Sequence, residues 1–483
     1  MLRALWHHLI SQGPQVRHRR LASPLRVRCL EERHLLDSGL GAYMQSALAS
    51  DIPGLAEFRD RDLINPWGFS ETPGGRFRIS ANGVGNAPLL TADGQELGRA
   101  VELPPPLGSP PGTTTSPNGN VSNPTSDFII SDDGRSAPAT TLFSTEDGTI
   151  IGWNASVDPH SGILAADQSS AGAVYKLLAM GSNSQGNFLF ATDFHNGKID
   201  VFDKNFKLVH LDGSFSDPTL PAGFAPFGVK NIGGTLFVTY AKQDAARHDD
   251  VAGVGNGFID EFDTEGHFLK RFASQGLLNS PIGMAVAPSN FGQFSGALLV
   301  GNFGDSHVSA FNLTTGEFLG QLTDAHGNPL VLNGGFHGPD TKGLWGIAFG
   351  NGRQGAATNA LFFAAGINDE KDGVFGMVTV AKNAHAPGKD HDDIGRHDHD
   401  DPHARASVTP ATLSEMSGPS GPAKKANMDS SRSHDTITHR HQTPPTSAAA
   451  GSQAMDLEVH HGQALTAAEA DAFFSAFGQD MLN

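Results

Sequence analysis

A short phrase, Pro-x-Gly followed by alternating apolar residues, recurs along the chain and does more than any other feature to restrict its fold. It reads Pro66-Trp67-Gly68-Phe69, then Pro226-Phe227-Gly228-Val229, then Pro281-Ile282-Gly283-Met284-Ala285-Val286. Leu344-Trp345-Gly346-Ile347-Ala348-Phe349 is the same phrase without its proline. The later glycines are 55 and 63 residues apart, and the stretch from Gly68 to Gly228 has room for three units of roughly the same length. Each marker is followed by an apolar strand, a turn rich in Asp, Asn and Gly, and a strand ending in Phe with Asp or Asn. Leu189 to Asp203 and Leu299 to Asn312 carry this pattern, Leu142 to Asn154 carries it in shorter form, and Leu236 to Asp263 carries it with an insertion. Period-2 alternation around Asp-Gly and Asn-Gly turns specifies β-hairpins.

Repeating units of this length, each with three or four short antiparallel strands, are the blades of a propeller. Six are expected, starting near residues 64, 122, 173, 224, 279 and 343. In the second, Pro124-Thr125-Ser126 stands at the marker without its glycine, and in the third Tyr175-Lys176-Leu177 stands there. The last unit ends after its third strand, Val374–Val380, which would leave an open sheet edge. The segment Tyr43–Ser50, just ahead of the first blade, is placed to close it. The expected fold is therefore all-β, a six-bladed β-propeller with an N-terminal strand closing the last blade and disordered tails on either side. It divides the chain into a basic leader (1–42), the propeller (43–383), a His/Asp- and Ser/Pro-rich tail (384–464) and a short amphipathic helix (465–483).

Composition agrees. The 483 residues include 58 glycines and 29 prolines, and only 17% are charged, which disfavours long helices and coiled coils. A net charge of −18 argues against a nucleic-acid partner, which needs patches of Lys and Arg. The single cysteine, Cys29, excludes an intrachain disulfide framework and a cysteine-based zinc site. No apolar run approaches the 20 or so residues of a transmembrane helix. The 31 phenylalanines against 3 tyrosines and 4 tryptophans fit packing between blades, since Phe fills space without needing a hydrogen-bond partner.

The flanks differ from the middle. Near the start, Arg26-Val-Arg28-Cys-Leu30-Glu31-Glu32-Arg33-His-Leu35-Leu36-Asp-Ser38-Gly39 resembles the LEPR-XLL motif of large exported bacterial proteins, with Glu32 in place of its proline. That resemblance implies export to an extracytoplasmic or cell-surface location. Beyond Ala384 the composition cannot bury enough apolar area to offset chain entropy. His391, Asp393, His397, His399 and His403 in this tract form a candidate set for Zn²⁺, Ni²⁺ or Cu²⁺ through imidazole; the other reading is a solvated acidic tract. At the end, Thr466 and Glu469 make a capping box ahead of Phe473, Phe474 and Phe477 at helical spacing.

The middle also resembles an uncharacterised family of bacterial secreted proteins, some ending in a PEP-CTERM sorting tail. The phrases that carry the resemblance include Ser50-Asp-Ile-Pro-Gly-Leu-Ala56, Leu63-Ile-Asn-Pro-Trp-Gly68, Phe143-Ser-Thr-Glu-Asp-Gly-Thr149, Tyr240-Ala-Lys-Gln-Asp244 and Val300-Gly-Asn-Phe-Gly-Asp305. The resemblance implies a propeller without a settled activity. This chain has no Pro-Glu-Pro, and its blade grammar is similar to that of NHL-type and lactonase-type propellers.

Polar residues recur after the second strand of successive blades. They are Glu146 and Asp147; Asp193, His195 and Asn196; Asp244; Asn302 and Asp305; Asn368 and Asp369. An insertion after Asp244 adds His248, Asp249 and Asp250. On one reading they serve only their turns, because Asn and Asp tolerate positive φ and bond their own backbone. On the other they converge on one mouth of the channel as ligand-binding residues, an oxygen-rich set of the kind Ca²⁺ prefers. No nucleophile elbow, P-loop or dinucleotide fingerprint occurs, so no catalytic residue can be named. The leading expectation is an extracytoplasmic binding or interaction module without chemistry of its own, its partner a protein, a small molecule or a glycan. The alternative is a Ca²⁺-dependent hydrolase or lactonase with the metal in the channel.

Overall fold

Each Pro-x-Gly phrase starts the innermost strand of a blade, and sterics at its glycine explain the motif. A Cβ on Gly68 would stand 2.6 Å from the Asn118 carbonyl oxygen of the next blade, and one on Gly119 would stand 2.5 Å from the Leu178 amide nitrogen. Gly228, Gly283 and Gly346 meet the following innermost strand in the same way. Only a residue without a side chain lets neighbouring inner strands approach so closely.

The computed structural model describes residues 41–340 and 342–381. Over these it is nearly all β. The six innermost strands are Pro66–Glu71, Pro117–Ser122, Tyr175–Asn183, Phe224–Ile232, Pro281–Val286 and Leu344–Phe349. They pack one against the next around a closed ring, the sixth against the first. From each inner strand the sheet runs outward through antiparallel neighbours. In the fourth blade these are Thr235–Lys242, Gly257–Phe262 and Phe268–Ser274.

The second blade begins earlier than its sequence suggested. Its marker is Pro117-Asn118-Gly119, not Pro124-Thr125-Ser126. A projecting hairpin, Ile129–Asp132 with Arg135–Pro138, is inserted between its first and second strands and displaces the usual spacing.

The ring closes as expected. Tyr43–Ser50 pairs antiparallel with Asp372–Val380, Tyr43 opposite Val380 and Ser50 opposite Val374, with a bulge between Ala47 and Ala49. Tyr43 also reaches back to the fifth blade. Its amide bonds the Thr323 carbonyl at 2.8 Å and its hydroxyl donates to the Phe291 carbonyl at 3.0 Å.

Apolar clusters fill the spaces between blades. Phe77, Phe362 and Phe375 pack with Leu48 and Ala49 of the closing strand, while Phe190, Phe215 and Phe262 fill the gap between the third and fourth blades. Each buried Phe stabilises the fold by about 1.5–3 kcal/mol relative to exposure. Blade packing thus outweighs any one polar contact in holding the ring. Among the described residues no helix is long and apolar enough to cross a membrane. Apart from Gly41 and Ala42, the leader lies outside the described residues. So do the polar tail with His391, Asp393, His397, His399 and His403, and the segment 465–483.

Candidate functional site at the channel mouth

The middle residue of each marker faces the channel, and its identity sets what the channel can do. Trp67, Phe227, Ile282 and Trp345 form a buried plug with Phe194 and Phe303. Trp67 and Trp345 stack with ring centroids 3.5 Å apart, and Phe303 lies 4.1 Å from Trp345. In the second blade the position is Asn118, fully buried and bonded to Ser144 and the Gly119 amide. In the third it is Lys176.

The Lys176 side chain is only 1% exposed, so its charge is stable only if it is compensated. Its ammonium lies 2.5 Å from Glu146 Oε1, 3.5 Å from Asp249 Oδ1 and 5.1 Å from the centre of the Trp67 ring. Burial pulls the ammonium toward neutrality. The charge and hydrogen bond of Glu146, joined by the charges of Asp249 and Asp250, outweigh burial and hold its pKa above the ordinary value.

A polar chain continues around the mouth from this centre. Asn82 Nδ2 donates to Glu146 Oε2 at 3.1 Å, and Asn65 Nδ2 reaches Asn82 Oδ1 at 3.3 Å and Glu370 Oε2 at 2.7 Å. Trp345 Nε1 donates to Asn65 Oδ1 at 3.1 Å, tying the plug to the chain. On the other side Ser280 donates to Asp250. Every blade thereby supplies a polar group: Asn65 and Asn82 from the first, then Glu146, Lys176, the Asp249–Asp250 pair, Ser280 and Glu370.

Local backbone places the outlying members. The fourth-blade insertion is pinned by bonds from the His248 amide to Asp244 Oδ1 (2.9 Å) and from the Asp244 amide to the Asp249 carbonyl (2.8 Å). His248 Nδ1 lies 3.0 Å from Asp249 Oδ1. That hydrogen bond lowers the Asp249 carboxyl to about 2 and raises the imidazole, in each case against the opposing effect of burial. Glu370 ends a run of three left-handed residues, with φ of 57°, 58° and 60° at Asn368, Asp369 and Glu370. Such conformations cost of order 1 kcal/mol or more each outside glycine, and this run aims Glu370 at Asn65. Burial lifts the Glu370 carboxyl to about 7, and the nearby Glu146 charge adds to the rise.

Of the polar residues singled out in the sequence, Glu146, His248, Asp249 and Asp250 gather around Lys176. The others make different contacts, within and between blades; Asn368 donates to Asp372 at 2.6 Å and Asp369 accepts from Lys371 at 3.1 Å. Asp147 accepts from Thr115 and the Ser116 amide, and buried Asp193 accepts from the Val174 amide and from the amide and side chain of Asn196. Asn302 accepts from the Asn279 amide, Asp305 accepts from the Asn279 side chain, and the His195 carbonyl accepts from Gln243. Lys176 itself, with Asn65, Asn82 and Glu370, was not singled out. The available signal was a lysine standing at a marker position that holds an aromatic, an aliphatic or an amide in the other five blades.

Ligand atoms of Glu146, His248 and Asp249 all lie within 4.8 Å of one another, a spacing open to a metal ion. The ammonium of Lys176, however, already rests on oxygens of Glu146 and Asp249.

No family model matches the chain. "Uncharacterized protein L690" of Acanthamoeba polyphaga mimivirus is 32% identical over 338 residues, covering 68% of this chain and 84% of the viral protein. The chain belongs to the family of that protein. A second relative of this chain, "Uncharacterized protein R648" of the same virus, is 29% identical over 336 residues, 68% of this chain and 78% of its own. These relatives are viral, where the phrases of the sequence pointed to bacterial proteins. Among solved structures, a virginiamycin B lyase from Staphylococcus aureus is similar with a TM-score of 0.39 at 14% identity, over 65% of this chain and 80% of the lyase. The soluble aldose sugar dehydrogenase of Escherichia coli reaches 0.41 at 13% identity, over 70% of this chain and 100% of the enzyme. At these scores neither likeness bears on activity.

Proposed function

We propose that the propeller is a binding module whose ligand, a small molecule, a glycan or a segment of a protein partner, seats at the mouth around Lys176. The observation that carries this reading is the polar chain to which all six blades contribute, set over an aromatic plug. Ligand sites commonly combine apolar surface with a few convergent polar groups, and the plug with its polar chain supplies both kinds of group. Asp249 and His248 are its exposed members, with side chains 68% and 48% accessible, and they are the first groups an incoming ligand meets. The carboxylates outnumber the cations, which favours ligands rich in hydroxyl or ammonium donors over anionic ones and nucleic acid.

The second reading is a metal-dependent hydrolase or lactonase using Glu146, His248 and Asp249. Lys176 counts against it, because a dication 2.3–2.6 Å from the same oxygens would face an ammonium at close range. Titration of the full chain with neutral sugars, amino acids and polyamines tests both readings. A ligand whose affinity drops about tenfold or more in Asp249→Asn or His248→Ala supports the mouth; binding that survives both substitutions puts the site elsewhere. A stoichiometric metal that is lost in His248→Ala would transfer the assignment to the hydrolase.

An extracytoplasmic setting is part of the proposal. It rests on the export-type motif between Arg26 and Gly39 and on the secreted-protein phrases of the middle zone. Accumulation of the full chain solely in the cytosol of an expressing bacterium would count against it.

A further inference from the structure

The outermost strands of the fourth and fifth blades, Phe268–Ser274 and Phe318–Gln321, leave an apolar groove between them on the rim of the ring. Its volume is about 420 Å³. The floor is aromatic: Phe272 and Phe311, both buried, have ring centroids 6.1 Å apart. Phe318 continues the row at 5.6 Å from Phe311. Phe318 is 43% exposed and Leu277, also lining the groove, is 42% exposed. Gly316 lets the two blades approach, because a Cβ there would overlap the Phe272 carbonyl oxygen. Single exposed apolar side chains are ordinary on a protein surface, but a continuous row of phenylalanines along a groove marks an interaction surface.

The course of the chain points to the occupant. The described ring ends at Ala381, whose amide bonds the Ala42 carbonyl at 2.9 Å. Ala42 in turn bridges Thr323, two residues beyond the strand Phe318–Gln321. The chain therefore departs beside the fifth blade, and from Thr323 back to Phe318 is no more than about 17 Å of extended backbone. About 80 residues separate Ala381 from the segment 465–483, and a chain of that length without regular structure spans about 50 Å on average. The groove is thus within reach of that segment at high effective concentration. The segment carries Phe473, Phe474 and Phe477 at helical spacing behind the capping box of Thr466 and Glu469, an apolar stripe that requires an apolar surface. A second copy of the chain is the poorer occupant, because each copy carries a net charge of −18 and the two repel. We propose that the groove between the fourth and fifth blades docks the segment 465–483 of the same chain through Phe473, Phe474 and Phe477, a helix laid in a groove. The His/Asp-rich tract is then held to the ring at both ends and presented as a closed loop.

Hydrogen exchange of the full chain, read by mass spectrometry on peptides covering 268–277 and 316–321, tests the docking. In the triple variant Phe473→Asp, Phe474→Asp and Phe477→Asp these peptides are expected to exchange about tenfold faster than in the wild type, while peptides of the innermost strands keep their rates. Reciprocally, Phe318→Ser on the exposed side of the groove is expected to speed chymotrypsin cleavage after Phe473 and Phe477 by a similar factor. One variant alters the segment and the other the ring, so each remains informative if the other fails to fold. Equal exchange of both groove peptides in wild type and triple variant overturns the proposal. Protection that develops only as the protein concentration is raised, together with a dimer in sedimentation, assigns the groove to a second copy and overturns it as well.

Discussion

Position 176 shows how one side chain sets the character of the site. A lysine with 1% exposure is tolerated because Glu146 lies 2.5 Å away, and neither charge would be stable there alone. Breaking a buried pair by removing one partner typically costs about 3–5 kcal/mol, whereas replacing both can be close to neutral. Lys176→Met is therefore expected to lower unfolding free energy in urea by about 3 kcal/mol, and the double variant Lys176→Met with Glu146→Gln to recover most of that loss. A single-variant cost below about 1 kcal/mol would show that the pair is not buried in solution. The lysine was not legible from the polar phrase that follows the second strand, because the organising charge stands on the first. The carboxylates on the fourth-blade insertion were legible, because a loop too long for a hairpin turn invites a functional reading. Glu370 was not, since its approach to Asn65 depends on three successive left-handed residues that no composition rule anticipates.

At the scale of elements, the closing strand was legible for a simple reason: the last blade stops after three strands, and one unassigned strand precedes the first. The second blade was harder, because the 129–138 hairpin mimics the start of a unit and hides the marker at Pro117. Deleting residues 43–50 should expose the edge of Asp372–Val380 and lower the Tm of the whole ring; an unchanged Tm in calorimetry would show that the strand is dispensable. Beside this strand, burial raises the Asp51 carboxyl to about 6, opposed by the Gly373 amide and reinforced by Asp372. A carboxyl with a raised folded pKa prefers its proton in the folded state. Its penalty is absent below the unfolded value near 4 and complete above about 6. Asp51→Asn keeps an oxygen for the Gly373 amide. It should raise the Tm at pH 8 and leave it unchanged at pH 4; a gain that is equal at both would exclude the carboxyl as its source.

Across the molecule the carboxyls that burial raises share this sign. Burial raises Glu71 and Glu370 to about 7 and Asp260 to about 6, as it does Asp51. Each makes folding less favourable as pH climbs from about 4 to 7. Self-repulsion from the net −18 acts in the same direction as carboxylates ionise. Asp249, held down to about 2 by His248, works the other way and withdraws its support only in strong acid. A pH series of Tm is expected to peak near pH 5 and to fall toward pH 8; a maximum at or above pH 7 would contradict these assignments.

The pairing of Tyr43–Ser50 with Asp372–Val380 also sets a timetable. The first strand of the propeller to be synthesised has its partner among the last, more than 300 residues later. At roughly 5–20 residues per second a translating ribosome takes tens of seconds or more to supply it. Through that interval five blades can form in order while the closing strand waits with an unpaired edge. The propeller is thus most exposed to mispairing with another nascent copy during its own synthesis, and completion of the ring is a late event however quickly each blade folds.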